Sequence, residues 1–233
     1  MSLRRFLNIL PLILLLLIFA AAVISWIANV YGANCRNILS SEGMRWAVAM
    51  IMENFKQAPW HYIIIALATI SMITESGIIT GFSKQKYLRQ KRAYMLVAMA
   101  LAVFVAFAIV LSLLPGNILL SAFGTFGNSA LQKGLFPMIA VILYIISLIY
   151  AYAIGRFNDV SDVIKATVNL PVRVADYFIT LFLASQLIAV LLYAFYLDFT
   201  PAMALPSDMA ILAACLYGFP LIFHCFLALT NHE

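Results

Sequence analysis

Six apolar runs, residues 6–28, 61–81, 93–114, 135–155, 177–199 and 209–230, leave no stretch of this 233-residue chain over for a soluble domain. Each meets the roughly 20 residues that a helix needs to span the hydrocarbon core. Hydrophobic residues occupy 65% of positions and charged residues 10%, where a soluble domain carries roughly a quarter charged. None of the runs alternates polar with apolar residues, so helices rather than barrel strands are predicted. The expected fold class is all-α integral membrane, a single transmembrane domain over residues 1–233.

The placement of Lys and Arg sets the expected orientation. Arg4 and Arg5 precede the first span, Lys84, Lys86, Arg89, Lys91 and Arg92 lie between the second and third, and Arg156, Lys165 and Arg173 between the fourth and fifth. The opposite side holds only Arg36, Arg45, Lys56 and Lys133. The positive-inside rule then puts both termini in the cytoplasm. This bias accounts for the net charge of +5, so it does not argue for a nucleic-acid partner. The basic side can attract anionic lipid heads. Two Arg, an apolar core and Ala20-Ala21-Ala22 imitate a signal peptide, but the run continues to Ala28, and a retained first helix is expected. Cys215 and Cys225 are ten residues apart on one predicted helix, about 15 Å by helical rise and too far to bridge. No zinc-ligand spacing is present, and no cofactor is expected.

The order of elements repeats. Span one is followed by an amphipathic segment, residues 41–55, whose Met44, Ala47, Val48, Ile51 and Phe55 recur at helical spacing. Spans two and three follow. Span four is followed by a second amphipathic segment, residues 159–168, with Val160, Val163, Ile164, Thr167 and Val168 on its stripe. Asp159 or Ser161 is positioned to cap it and Pro171 to close it, as Pro59 closes the first. One-sided helices of this kind lie in the membrane interface. Three spans per half is an odd number, so the halves, about 1–114 and 134–233, are expected to be inverted three-helix repeats, each with its interfacial helix.

Several stretches carry a family resemblance. Asn37-Ile38-Leu39-Ser40-Ser41-Glu42-Gly43-Met44-Arg45-Trp46, then Glu53-Asn54-Phe55, then Thr74-Glu75-Ser76-Gly77-Ile78-Ile79 resemble the opening of the AbgT family, bacterial transporters named for p-aminobenzoyl-glutamate. Residues 155–165, beginning Gly155-Arg156-Phe157-Asn158-Asp159, resemble the family's Gly-containing turn and acidic cluster. Phe182-Leu183-Ala184-Ser185-Gln186-Leu187-Ile188-Ala189 is similar to its apolar-Ala-Gln-apolar-Ala stretch, and residues 216–223 to its Pro-containing last span. The resemblance implies a multi-pass protein of the bacterial inner membrane.

Family members are considerably longer. After the Glu-x-Gly end of their second span come a helical hairpin and further spans; here Gly81 leads into residues 84–92 and an ordinary apolar span. After the Ala-Gln stretch the family has an Asn-Trp-Ser-Asn-like element of its substrate site; here the chain reads Leu191-Leu192-Tyr193-Ala194-Phe195-Tyr196. No substrate-binding residue carries over. What remains resembles the family's fixed scaffold without its substrate-carrying domain.

The polar residues inside the spans are the candidate site. Glu75, with Ser71 and Thr74, is the one acid well inside a run, and an intramembrane ionisable residue suggests proton or sodium coupling. The plainer reading has Glu75 reaching the interface or pairing with Lys84 or Lys86, and the absence of a second acid favours it. Gln186 and Ser185, with Thr180, line a cavity or bond between helices. His224 near Cys225 reads as a packed histidine, since a metal needs more donors. No nucleophile with a base, paired carboxylates or phosphate loop is present, so no catalytic residues are expected and the chain does not read as an enzyme. Two expectations follow. One is a non-enzymatic scaffold or accessory subunit, assembling with itself or with another membrane protein. The other is a compact transporter of small organic anions or drugs, coupled through Glu75.

Overall fold

The computed structural model describes residues 3–82, 88–113, 129–197 and 205–230, and these are helical with short connections. Lys84, Lys86 and most of the connection at 115–133 lie outside the described residues. The helices are α1 (Leu3–Val30), α2 (Ser41–Gln57), α3 (Trp60–Ser76), α4 (Ile78–Phe82), α5 (Leu88–Leu113), α6 (Ala130–Ile154), α7 (Val160–Arg173), α8 (Asp176–Phe195) and α9 (Ser207–Thr230). Five of them, α1, α5, α6, α8 and α9, are long and apolar enough to cross a membrane. This is a multi-pass, lipid-contacting α-helical architecture.

The apolar run 61–81 departs from an unbroken span. It folds as α3 and α4, separated at Gly77, whose φ of 72° is left-handed. Residues with a Cβ avoid that region, so glycine permits a break here. The Ser76 hydroxyl accepts the Ile78 N–H at 3.3 Å, replacing a lost helical bond.

Two compact units make up the chain: residues 1–60 with 173–233, and residues 61–172. The first holds α1, α2, α8 and α9; the second holds α3 to α7. Each draws on both sequence halves, so neither unit coincides with residues 1–114 or 134–233.

In the first unit α8 is the centre. Tyr177, Leu181, Ala184 and Ala194 are fully buried on it. Leu14 of α1 packs on Ala184 and Leu187, and Ala21 and Ala22 pack with Val190 and Ala194. Apolar side chains gain little from leaving lipid for protein, so close approach at small residues and interhelical hydrogen bonds carry such packing. The Tyr177 hydroxyl donates to the Tyr217 carbonyl of α9 at 2.8 Å. Because α8 runs unbroken beside α1 from Leu14 to Ala22, the fifth apolar run does not turn back on itself. In the second unit α5 packs along α6 and leaves most of its surface open, as a lipid-facing helix does.

The local sequence explains both amphipathic helices. Ser40 caps α2, its hydroxyl accepting the Gly43 N–H at 3.1 Å. A Cβ on Gly43 would stand 2.5 Å from the Asn37 carbonyl oxygen and 2.6 Å from Ile38 Cα. Glycine therefore lets the incoming strand of chain lie against the helix. Ser25, fully buried in α1, holds that strand by accepting the Ile38 N–H at 3.2 Å. Ala58 is extended before Pro59, which ends α2 where expected.

The second amphipathic helix differs from expectation at both ends. Neither Asp159 nor Ser161 caps α7. The Asp162 carboxylate reaches back to accept the N–H groups of Asn158 at 3.0 Å and Asp159 at 3.3 Å. These bonds, with a smaller pull from Lys165, hold the Asp162 carboxyl below the usual carboxylate range. Pro171 does not close the helix, which continues to Arg173. The Ser71 hydroxyl, inserted in the backbone ladder one residue earlier, opens room for the proline ring.

Candidate functional site

The apolar stripes of α2 and α7 are open in part: Val163 of α7 packs against Met72, Ala151, Phe157 and Ala166, while other stripe positions are exposed. Met44 and Val48 on α2 are 51% and 70% exposed, and Val160 and Ile164 on α7 are 70% and 58% exposed. The fully buried positions, Leu170 apart, are small or polar. Gly43 and Asn54 are buried on α2, Ala166 and Leu170 on α7. An interfacial helix built this way offers its apolar stripe to lipid and fastens itself through a second, polar face.

The candidate residues are the fasteners. In the second unit the Ser71 hydroxyl donates to the Ala166 carbonyl at 2.5 Å and accepts the Leu170 N–H at 3.0 Å. Those are the two groups an α-helix ordinarily pairs with each other. One turn on, the Glu75 carboxylate accepts the Asn169 amide at 2.5 Å. Tyr144 of α6 bonds Thr167 at 2.7 Å and completes the hold on α7. Thr74 points its hydroxyl back to its own helix, to the Ser71 carbonyl at 2.9 Å and the Ile70 carbonyl at 3.1 Å.

In the first unit Gln186 does the equivalent work on α2. Its side-chain oxygen accepts the Asn54 amide at 3.1 Å, and its amide donates to the Ile51 carbonyl at 2.9 Å. Ser185 is buried and bonded to the Phe182 carbonyl of its own helix at 2.7 Å. Thr180 is buried with its hydroxyl unpartnered among the described residues, and it does not join Gln186. Trp46 stacks on Tyr193 with ring centroids 4.0 Å apart, and Arg36 lies over the same Tyr193 ring at 5.3 Å. These groups and Asn54 line a cavity of about 190 Å³ between α2 and α8.

Ser71, Thr74 and Glu75 thus belong to one unit, Ser185 and Gln186 to the other. Asn169 was not singled out by sequence reasoning, and Asn54 only as part of a motif. The signal was a lone Asn in each amphipathic helix, off the apolar stripe. Basic residues at helix ends form a further pattern. Arg36 donates to the Leu197 carbonyl beyond α8 at 2.8 Å, and Arg89 to the Ala153 carbonyl of α6 at 3.4 Å. Arg173 donates to the Ala228 carbonyl of α9 at 3.3 Å. Cations at helix C-termini complement the macrodipole and satisfy its open carbonyls.

His224 is half-buried rather than a core residue. Its Nδ1 is 2.7 Å from the Pro220 carbonyl and its ring meets Tyr177 edge to face. Among the described residues no group of His, Cys, Asp and Glu is placed to hold a metal ion. No protein-family model, characterised protein or solved structure matches the chain.

Proposed function

We propose that this chain is an AbgT-like scaffold of the bacterial inner membrane, a non-enzymatic transport-associated subunit that keeps the family's frame without its substrate-carrying part. One observation carries this reading. The polar side chains that would serve coupling or transport are occupied in fastening interfacial helices to spans: Glu75 and Ser71 to α7, Gln186 to α2. The make-up of the two units supports the inverted repeat. Exchanging the halves maps α1, α2, α8 and α9 onto α6, α7, α3 and α5, which turns the members of one compact unit into those of the other. In each unit the interfacial helix of one half is held by the second span of the other half, through an Asn. On this reading the α3–α4 segment is the sixth span, both termini are cytoplasmic, and open apolar faces such as that of α5 meet lipid, a second copy or another membrane subunit.

The break at Gly77, two residues beyond Glu75, favours a second reading, since discontinuous helices mark ion sites in transporters. Reconstitution separates the two. Proteoliposomes with an imposed proton or sodium gradient are assayed for p-aminobenzoyl-glutamate flux, with wild type and Glu75→Gln. The scaffold reading expects no gradient-dependent flux. It also expects Glu75→Leu, which removes the acceptor that the Asn169 amide uses, to lose about 1–2 kcal/mol. Gradient-driven flux that disappears in Glu75→Gln overturns the scaffold in favour of a compact transporter.

A further inference from the structure

The cavity of about 190 Å³ between α2 and α8 lies wholly within the first unit, and several groups on its wall have bonding capacity left over. The Gln186 amide donates to the Ile51 carbonyl, so the Gln186 oxygen faces the Asn54 amide and the Asn54 oxygen remains. Asn54 is 8% exposed, and among the described residues that oxygen accepts no hydrogen bond. A buried acceptor without a donor points to an occupant. Arg36 gives one N–H to the Leu197 carbonyl and lies over the Tyr193 ring, which leaves most donors of its guanidinium unused. Lys56 takes only one oxygen of Glu53, in an exposed pair of the kind that contributes little.

Charge and direction narrow the occupant. Arg36 and Glu53 line the cavity with opposite signs, Lys56 adjoins Glu53, and Glu42 is within electrostatic reach of Tyr193, so the surroundings balance. A ligand with a net charge gains little there; one carrying both signs gains at each end. Trp46, Met50, Glu53 and Gln57 share one face of α2. Met44 and Glu53 are nine residues apart, as are Val48 and Gln57, which is about two and a half turns. The cavity therefore lies on the side of α2 opposite the exposed Met44 and Val48. With that stripe in lipid, the cavity opens to water, and a soluble ligand rather than an acyl chain reaches it.

We propose that this cavity binds a zwitterionic α-amino acid with an apolar side chain. Its carboxylate takes the Arg36 fork, its ammonium donates to the Asn54 oxygen and to the open Glu53 oxygen, and its side chain rests on Met50 and Leu192. The Trp46 indole N–H and the Gln57 amide, unpartnered among the described residues, are further donors for the carboxylate. The space holds several waters and so a molecule of this size. The site is independent of the scaffold reading and stands whether or not the chain transports.

Isothermal titration calorimetry on the full chain in detergent tests it, with L-leucine as the probe, and saturable binding is expected. Isocaproate, which lacks the ammonium, and isoamylamine, which lacks the carboxylate, are expected to bind roughly tenfold or more weakly, each having lost a charge-assisted bond. Arg36→Gln is expected to weaken L-leucine by a similar factor and Glu53→Gln by several-fold. Arg45→Gln, at an exposed α2 position off the cavity, is expected to change binding by less than about twofold. Should Arg36→Gln not fold, the comparison of the three ligands on the wild type still decides. No saturable binding of L-leucine, either analogue bound as tightly as L-leucine, or equal losses in Arg36→Gln and Arg45→Gln would each overturn the proposal.

Discussion

Replacing Gln186 with Leu tests the idea that intramembrane polar residues here serve as fasteners. The substitution keeps the side chain's bulk between α2 and α8 but removes the bonds to Asn54 and to the Ile51 carbonyl. Interhelical hydrogen bonds in bilayers average about 0.6 kcal/mol and reach about 1.7, so two of them contribute about 1–3 kcal/mol. Asn54, 8% exposed, is then left with its amide unpaired. That orphan adds about 1 kcal/mol or more. The expected loss for Gln186→Leu is therefore about 2–4 kcal/mol, a large part of a typical folding free energy. Asn54→Leu breaks only one of the two bonds and is expected to lose about 1 kcal/mol. In the double variant the shared bond is lost only once and no Asn54 amide is left orphaned, so the cycle closes with a coupling of about 2 kcal/mol. Equilibrium unfolding in mixed micelles measures all four proteins, and hydrogen exchange over residues 41–57 reports whether α2 detaches first. Strict additivity within about 0.3 kcal/mol, or an unchanged midpoint for Gln186→Leu, refutes the fastener argument.

Two other consequences are as direct. Gly43→Ala places a methyl against the backbone of Asn37 and Ile38, which cannot move aside as a side chain can, and a loss near the upper end of the usual 1–3 kcal/mol for overpacking is expected in the same unfolding assay; a neutral variant would show that the chain before α2 is not held there. Asp162, with its carboxyl held below its ordinary value by two backbone N–H groups, stabilises the start of α7 when ionised. That contribution is fully present above the unfolded value near 4 and fades as pH falls through the lower folded value. Protection of residues 157–165 in hydrogen exchange should accordingly stay level from about pH 7 to 5 and decline below about pH 4, while Asp162→Ala lacks it throughout. Protection that rises on acidification contradicts the assignment.

The long apolar helices were readable because their cause is local. A run of some 20 apolar residues has few options other than a helix in lipid, whatever surrounds it. The amphipathic helices were equally legible, since a 3.6-residue period is a property of neighbouring residues. Pro59 acted as a stop because it holds Ala58 in an extended conformation. Pro171 did not, because Ser71, one hundred residues earlier in the chain, reaches into the ladder of α7. The glycine break at 77 lay hidden for a related reason: hydropathy counts apolar length and is blind to a left-handed residue within it.

Sequence alone determined that this protein is helical, apolar and membrane-bound, and which residues inside the spans are polar. Only the tertiary structure decided what those residues do. Glu75 meets Asn169 and Gln186 meets Asn54 across 94 and 132 residues. The physical reason is that a buried polar group is defined by its partner, and the partner's identity is set by which helices pack together. Hydrophobic periodicity tells a helix which face to turn toward lipid; it carries no instruction about the neighbour on the other side.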